Sequence, residues 1–298
     1  IVSGQTLSVT GSGTVSSANV GTGKNVTSVN LALANGTGSA SNYSINSLTA
    51  EITGRPITIS GSRFYDSTTT ADSSILSITS GVSGESLSLT GSGILGSASA
   101  GTQTITNNNT LAIADGTGLA SNYTLSGATI NVTVIPRALN VTLSREYDGT
   151  TSVSGASLTP TFDSLQGGET LALSGTGSVS TANVGSSKAV SLGSIALAAG
   201  SGNPSNYTLN SATMNITQRV INLDGIRAYD ATTNVLSSDI NTFGNIVSGE
   251  TLTISGTGSV GTNSVAMNKA ITIGSLSLGN GSGLASNYTL TGGTHTFD

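Results

Sequence analysis

The chain has 298 residues, of which 36% are hydrophobic and 8% charged, with 40 glycines, no cysteine and a formal net charge of -5. So few cations argue against nucleic acid as a partner, because duplex binding depends on many Lys and Arg contacts to phosphate. The lack of cysteine excludes disulfides and thiolate metal sites, and the lack of an apolar run of about 18 residues argues against membrane insertion.

Two tyrosine motifs recur along the chain with a period of 80 to 84 residues and contain all seven tyrosines. The Ser-Asn-Tyr motif ends at Tyr43, Tyr123, Tyr207 and Tyr288. The Tyr-Asp motif is found at Tyr65/Asp66, Tyr147/Asp148 and Tyr229/Asp230. Solenoid repeats are shorter than this, whereas about 80 residues suffice for a small domain with its own core. The sequence therefore predicts an array of domains.

Apolar and polar residues alternate in many short segments, in chain order 87–89, 111–113, 130–134 and 139–143. A period of two, with much Val, Ile and Thr, predicts half-buried strands, and the Gly- and Asn-rich stretches between them are typical of turns. No segment shows a helical period. The predicted class is all-β, with six or seven strands in each copy forming a small immunoglobulin-like β-sandwich.

The copy boundaries are predicted at Gly54-Arg55-Pro56, Pro136-Arg137 and Gln218-Arg219. They give a partial copy at 1–53, without its opening strand or Tyr-Asp motif, and complete copies at 54–135, 136–217 and 218–298. Because the first copy begins partway through the repeat, we expect a segment of a longer chain. With almost no linker, the tandem array should form an elongated, monomeric rod, on the order of 30 to 40 Å per copy.

An arginine stands two residues before the tyrosine of each Tyr-Asp motif: Arg63, Arg145 and Arg227. We expect these arginines, with those eight residues earlier, to border the core and to pair with acids at the domain junctions. An anion or glycan site is the alternative. The motif aspartates should accept backbone N–H bonds in Asx turns, and the motif tyrosines should be core anchors with hydroxyls bonded to a loop.

The Ser-Asn-Tyr motif follows a Gly-rich stretch such as 115–118, which could be imagined to cradle calcium or phosphate. The position of Asp115 is Asn35, Ala199 or Asn280 in the other copies, whereas calcium needs six to eight oxygen ligands. We therefore predict no metal and no cofactor. The expected role is a tight loop fastened by the motif asparagines, which are Asn42, Asn122, Asn206 and Asn287.

The sequence gives little support for a catalytic site or a covalent cross-link. Lys24, Lys188 and Lys269 share one repeat position, and an isopeptide bond to a motif asparagine is an alternative that Gln103 in the second copy disfavours. His295 is the one histidine, so a Ser-His-Asp triad could form only between chains. Every candidate acid recurs with the repeat, so no catalytic residue is predicted and the chain is not expected to be an enzyme.

The third copy carries Tyr147-Asp-Gly-Thr-Thr151, then Gly168-Glu-Thr-Leu171, then Ser205-Asn-Tyr-Thr-Leu209. This order of motifs resembles the YDG-type repeats of large bacterial surface adhesins, which occur in filamentous-haemagglutinin-like proteins exported by two-partner secretion. The resemblance covers the whole chain. Ser67 and Ala231 replace Gly149 in the other copies, which indicates that this position does not strictly require a positive φ.

The resemblance implies an extracellular location on a bacterial cell surface and a role in attachment or biofilm formation. The chain would be a structural stalk or spacer that extends an adhesive region. An alternative is a repeat array that itself binds polysaccharide or another adhesin chain by avidity. A β-solenoid is a minor alternative for the fold, since no short period is found within the repeat.

Overall fold

The computed structural model describes residues 1–28, 30–79 and 81–298, which form β-strands joined by turns and short 3-10 helices. The predicted all-β class is confirmed. The chain divides into two compact units, Ile1–Ile135 and Pro136–Asp298. Among the described residues, no helix is long and apolar enough to cross a membrane.

The alternation of the sequence accounts for the strands. In the segment 55–64, Ile57 and Ile59 are buried whereas Thr58 and Ser60 are exposed. Successive side chains of a strand point to opposite faces, so a period of two gives one apolar and one wet face. The same pattern buries Leu139, Val141 and Leu143 in the segment 137–146.

The strands of the first unit follow in chain order. They are β1 (Leu7–Thr10), β2 (Gly13–Val15), β3 (Gly21–Ser28), β4 (Ala32–Asn35), β5 (Thr49–Ile52), β6 (Arg55–Phe64), β7 (Thr70–Asp72), β8 (Leu76–Ile78), β9 (Leu87–Thr90), β10 (Ser92–Leu95), β11 (Gly101–Asn107), β12 (Ala112–Asp115) and β13 (Tyr123–Ile135).

The second unit contains the third and fourth copies. Its strands are β14 (Arg137–Glu146), β15 (Ser152–Ser154), β16 (Thr161–Phe162), β17 (Leu171–Ser174), β18 (Thr176–Val179), β19 (Gly185–Ser191), β20 (Ala196–Ala199), β21 (Tyr207–Thr217), β22 (Arg219–Val220), β23 (Asn222–Gly225), β24 (Asn234–Leu236), β25 (Ile240–Gly244), β26 (Leu252–Ser255), β27 (Thr257–Val260), β28 (Lys269–Thr272), β29 (Ser277–Asn280), β30 (Tyr288–Thr289) and β31 (His295–Phe297).

Short 3-10 helices occur at two places of the repeat. Those that contain the Ser-Asn of the Ser-Asn-Tyr motif are Ala40–Asn42, Ala120–Asn122, Pro204–Asn206 and Ala285–Asn287. The others are Ser73–Ile75, Gly155–Ser157 and Ser237–Asp239. Each Ser-Asn-Tyr tyrosine directly follows the first kind of helix, so this helix fixes where the tyrosine leaves the loop.

Each complete copy contains the same six-stranded sheet. The strand orders are β7-β10-β11-β13-β6-β8, β15-β18-β19-β21-β14-β16 and β24-β27-β28-β31-β23-β25. The first and last long strands are parallel neighbours, with Ile59 opposite Ile130 and Val141 opposite Ala212, while the other pairs are antiparallel. Two-stranded sheets complete the copies as β9-β12, β17-β20 and β26-β29. The first copy contributes sheets β1-β4 and β2-β3-β5.

One hydrophobic cluster runs through both copies of the second unit. It contains Leu143, Tyr147 and Met214 of the third copy together with Ile221 and Tyr288 of the fourth. A single residue separates β21 from β22 in the chain. The third and fourth copies therefore share a continuous core within this unit.

Candidate functional site: the junction between copies

The two tyrosine motifs meet where the third and fourth copies join. Tyr147 follows β14, and Tyr288 begins β30. Their rings pack edge to face, with centroids 5.4 Å apart and planes at 80°. Tyr147 is 4% exposed and Tyr288 is also buried. Such aromatic pairs add about 0.5 to 1.5 kcal/mol beyond the burial of their area.

The carboxylate of Glu250 accepts a hydrogen bond from the hydroxyl of each of these two tyrosines. The Tyr147 hydroxyl donates to Oε1 at 2.5 Å, and the Tyr288 hydroxyl donates to Oε2 at 2.6 Å. The Val247 amide donates to the Tyr288 hydroxyl at 3.1 Å. Hydrogen bonds to an ionised acceptor are short and stronger than neutral ones. We call Tyr147, Glu250 and Tyr288 the tyrosine junction.

Both tyrosines of the junction resist ionisation. Burial raises the pKa of both Tyr288 and Tyr147, and the hydrogen bond to Glu250 raises it further. A tyrosinate beside this carboxylate would lose its hydrogen bond and meet a like charge. The tyrosines therefore stay neutral donors at ordinary pH.

We predict that alkaline pH weakens the tyrosine junction. Because the folded pKa of Tyr147 and Tyr288 lies above the ordinary value of about 10, their stabilisation is complete below pH ~10 and is lost as pH rises through the folded pKa. Thermal unfolding followed by circular dichroism from pH 8 to 12 should show a falling Tm above pH ~10. Tyr147→Phe should flatten part of this fall, and an unchanged profile in that variant would contradict the prediction.

A motif asparagine makes a second contact across the same junction. Asn287 is 1% exposed, its Oδ1 accepts the Val184 amide at 2.9 Å, and its Nδ2 donates to Asn183 Oδ1 at 3.0 Å. Lys188 Nζ steadies this loop by donating to Asn183 O and to Thr181 Oγ1, both at 2.9 Å. The lysine of this repeat position thus fastens the loop that receives the asparagine.

The first unit repeats this contact between its two copies. Asn122 Oδ1 accepts the Val20 amide at 2.9 Å, and Asn122 Nδ2 donates to Asn19 Oδ1 at 3.0 Å. The neighbouring Tyr123 hydroxyl donates to Glu85 Oε2 at 2.5 Å. The same repeat positions therefore join copies in both units.

We predict that Asn287→Ala destabilises the second unit by about 1 to 3 kcal/mol, because the part-buried Val184 amide loses its acceptor. Urea unfolding of the 298-residue chain measures this change, and hydrogen exchange at Val184 locates it. Asn42→Ala is the matched control, since Asn42 holds the same motif position but is exposed. Its effect should stay within about 0.5 kcal/mol. Equal effects of the two variants would refute the assigned role.

The residues just after the third copy bind back to it. Arg219 Nη1 donates to Tyr147 O at 3.3 Å, while Nε and Nη2 donate to Asn245 O and Oδ1 at 2.6 and 2.7 Å. The Val220 amide donates to Glu146 Oε1 at 2.8 Å. The β21–β22 connection is therefore held on both sides by hydrogen bonds.

The three arginines before the Tyr-Asp motifs pair differently from the prediction. Arg145 lies 3.0 Å from Asp148 and Arg227 lies 3.0 Å from Asp230, and Arg63 contacts Asp66 in the same way. We predicted pairing with acids at the domain junctions. The three-residue spacing and the turn between them bring the motif aspartate back onto its own arginine instead.

Each motif aspartate also closes an Asx turn, as predicted. The bonds run from the amides of Thr68, Thr150 and Thr232 to Oδ1 of Asp66, Asp148 and Asp230, each at 2.9 Å. The Thr232 amide lowers the pKa of Asp230. Burial acts to raise the pKa of Asp66, but the hydrogen bonds from Thr68 and Arg63 outweigh it and lower that pKa.

The residue after the motif aspartate adopts a left-handed conformation in all three copies, with φ of 64° at Ser67, 76° at Gly149 and 63° at Ala231. The expectation that this position does not require positive φ is wrong. The Asx turn imposes the conformation, and Ser67 and Ala231 adopt it at a cost of about 1 to 2 kcal/mol. Sequence variation here reflects tolerance of strain.

We predict that Gly149→Ala destabilises the second unit by about 2 kcal/mol. A Cβ there would lie 2.9 Å from Val247 Cγ1, in addition to the cost of positive φ. Ala231→Gly, at the same repeat position, should lose no stability. Thermal unfolding of both variants checks this, and a tolerated Gly149→Ala would show that Val247 can move aside.

Tyr229 contradicts the expectation that every motif tyrosine is a core anchor, because it is 65% exposed. The residues that bury Tyr147 belong to the fourth copy, and in the described residues no Ser-Asn-Tyr motif packs against Tyr229. Tyr43 and Asn42 likewise meet no Tyr-Asp motif in the described residues of the first unit. Tyr65, Tyr123 and Tyr207 are buried. Within the second unit, the burial of Tyr147 thus comes from the fourth copy.

The motif asparagines do not fasten their own loops where their contacts are described, which corrects a second expectation. Asn122 and Asn287 bind the preceding copy. The loops are closed by the side chains of Asn35, Asp115 and Asn280, which accept the amides of Ala40, Ala120 and Ala285 at 2.7, 2.7 and 2.8 Å. In the third copy Asn203 Oδ1 accepts the Ser205 amide at 3.0 Å. Asn206 is buried.

The side chains that accept hydrogen bonds from the Ser-Asn-Tyr tyrosines were not predicted. Each tyrosine hydroxyl donates to a side chain 38 residues earlier, namely Gln5, Glu85, Glu169 and Glu250. This constant spacing to the tyrosine was the available signal. Within the described residues, no group of three or more His, Asp or Glu side chains is placed to hold a metal ion.

The YDG domain model matches residues 49–130, 135–214 and 217–296. No match was found among curated proteins or among solved structures. Each match covers one copy with its arginine, the Asx turn of its Tyr-Asp motif and its Ser-Asn-Tyr loop. The chain therefore belongs to the YDG domain family, of which it contains three tandem copies.

Proposed function

We propose that this chain is a stalk segment of a large bacterial surface adhesin of the filamentous-haemagglutinin-like, two-partner-secreted kind. Its copies would be immunoglobulin-like sandwiches arranged end to end outside the cell. They would hold an adhesive region away from the surface during attachment or biofilm formation.

The tyrosine junction is the observation that carries this proposal. The two tyrosine motifs that recur in this chain join the third copy to the fourth, through Glu250 and the continuous core of the second unit. A repeat whose recurring residues bind its neighbour is suited to hold copies in a fixed relation. A repeat built for binding a ligand would instead direct such residues to the surface.

The junction contacts are also arranged to resist separation. The hydrogen bonds of Tyr147 to Glu250, of Val184 to Asn287 and of Val220 to Glu146 must all break when the copies part. They would therefore share a load rather than fail one at a time. This property supports a mechanical role.

Small-angle X-ray scattering of the 298-residue chain, with and without calcium, tests the stalk proposal. A maximum dimension above roughly 120 Å in both conditions would support it, given on the order of 30 to 40 Å per copy. A compact envelope would contradict it. An envelope that lengthens only with calcium would favour a switching role instead.

A groove in the second copy favours polysaccharide binding as a second candidate function. Its volume is about 830 Å³, and its lining includes Ser83, Glu85, Ser86 and Tyr123. Carboxylate and hydroxyl groups suit sugar hydroxyls. The Tyr123 hydroxyl is already engaged by Glu85, however, which leaves fewer free groups. Titration with bacterial and host polysaccharides, and Ser86→Ala as the groove variant, would separate the candidates.

A further inference from the structure

The first and last long strands of the third copy are neighbours at the centre of its sheet. The strand order is β15-β18-β19-β21-β14-β16, so both β14 and β21 are flanked by other strands. The two strands are parallel, and their register runs from Arg137 opposite Tyr207 to Glu146 opposite Thr217. The chain enters β14 from the second copy and continues from β21 into the fourth. A load on the chain on either side of the third copy therefore reaches this strand pair first.

The parallel direction decides how such a load acts on the pair. Residue 137 begins β14 at one end, and residue 217 ends β21 at the opposite end. The ten residues of β14 separate these ends by about 33 Å at 3.3 Å per residue. Tension between the two points therefore acts along the strands and slides one past the other. Antiparallel neighbours would place both points at the same end, where the same tension would peel the strands apart pair by pair.

Hydrogen bonds beyond the regular ladder also hold β14 to β21. The Tyr147 amide donates to Thr217 O at 2.9 Å, which extends the pairing past the end of β14. Where the register shifts, Asn140 Oδ1 accepts Ser211 Oγ at 2.7 Å and Asn210 Nδ2 at 2.9 Å. All of these bonds join the two strands directly, so all of them oppose sliding.

The core face of the strand pair is closed to water. Leu139 and Leu143 of β14 and Met214 of β21 have no exposed surface. Because buried side chains are closely packed, the strands cannot slide without forcing these side chains past one another. Hydrogen bonds beside a dry face also cannot be exchanged one at a time for bonds to water. The packing therefore favours failure of the whole pair in a single event.

The second copy has the same arrangement within the first unit. Its strands β6 and β13 are parallel, with Ile59 opposite Ile130 and Phe64 opposite Ile135. The Tyr65 amide donates to Ile135 O at 2.9 Å, as the Tyr147 amide does to Thr217 O. The arrangement is therefore a property of the repeat.

We propose that the β14–β21 pair of the third copy, residues 137–146 and 207–217, is a tensile clamp that carries a load on the chain in shear. In this direction the bonds between the strands break together, so forced unfolding crosses one high barrier. The clamp adds a load-bearing element inside a copy to the contacts that join the copies. It follows from strand order and register, whatever the chain does on a cell.

Single-molecule force measurements on the 298-residue chain test the clamp, with handles on introduced cysteines because the chain has none of its own. Ala138→Cys with Thr217→Cys pulls along the strands. Ala138→Cys with Thr208→Cys pulls across one end of the pair, and Glu146→Cys with Thr217→Cys pulls across the other, because these residues lie opposite each other. All four positions are exposed. Each peeling pair shares one handle with the sliding pair, and two peeling pairs keep the comparison valid if one handle weakens the fold.

We expect the sliding pair to unfold the third copy at a force at least about twofold higher than either peeling pair at the same loading rate. A gain in length of about 250 Å identifies release of residues 138–217. Equal urea midpoints of the three variants would show that the difference lies in the direction of the load and not in stability. Equal forces in the three directions, or a lower force along the strands than across them, would overturn the clamp.

The scattering and force experiments can fail independently. A compact envelope in solution would contradict the stalk proposal and leave the ratio of the sliding and peeling forces unchanged. Equal forces would remove the clamp and leave the length of the chain in solution unchanged.

Discussion

Replacing Tyr147 by alanine should lower the free energy of unfolding of the second unit by about 3 kcal/mol or more. Truncating a buried aromatic side chain costs about 3 to 5 kcal/mol. The alanine variant also lacks the edge-to-face contact with Tyr288 and the hydrogen bond to Glu250. Urea unfolding of the 298-residue chain, followed by circular dichroism, measures the change. We further expect the third and fourth copies to unfold in separate steps once the shared core is interrupted.

Tyr229→Ala is the matched control, because Tyr229 occupies the same position of the same motif and is 65% exposed. Its effect on unfolding should stay within about 0.5 kcal/mol. The comparison separates the motif from its surroundings. A loss below 1 kcal/mol for Tyr147→Ala would sink the assignment of this residue as a buried anchor.

The second large effect is expected for Glu250→Ala, at about 2 to 4 kcal/mol. The change leaves two hydroxyls, those of Tyr147 and Tyr288, without their acceptor, and each unsatisfied buried group costs about 1 to 3 kcal/mol. Thermal and urea unfolding measure the loss. Hydrogen exchange at the Val247 amide, which donates to the Tyr288 hydroxyl, should rise with it.

Two control variants show whether the loss comes from the hydrogen bonds of Glu250 or only from removal of its charge. Glu250→Gln keeps an acceptor oxygen and should cost only about 1 kcal/mol, since Gln5 serves the same tyrosine position in the first copy. Glu51→Ala removes an equal charge from an exposed position and should stay within about 0.5 kcal/mol. If Glu250→Ala resembles Glu51→Ala, the carboxylate does not hold the junction together.

The strands and the Asx turns could be predicted from the sequence because each depends on residues that are close together in the chain. The alternation around Ile57 and Ile59 predicts strand β6, and Asp148 followed by Gly149 and two threonines predicts the Asx turn. Both features involve residues a few positions apart. Local pattern therefore sufficed for the class of the fold and for the turns of the site.

The partners across the junction were not readable in the same way. Tyr147 and Tyr229 have nearly the same neighbours in sequence, yet one is buried and the other exposed, because the covering residues come from the next copy. The left-handed φ of Ser67 and Ala231 was also not predicted. Neither residue type favours this conformation, so the sequence gives no sign of it. The contact of Glu250 with Tyr288 could have been suggested by its constant spacing of 38 residues.

Native-state hydrogen exchange at the Val184 and Val220 amides tests most directly whether the signature motifs join the copies. Both amides donate across the junction, to Asn287 and to Glu146 respectively. We predict that they open together in the native chain and that Tyr147→Ala lowers the free energy of opening of both by about 3 kcal/mol, while the β14–β21 ladder stays protected. Independent exchange of the two amides, or protection that Tyr147→Ala leaves unchanged, would contradict a junction built by the tyrosine motifs.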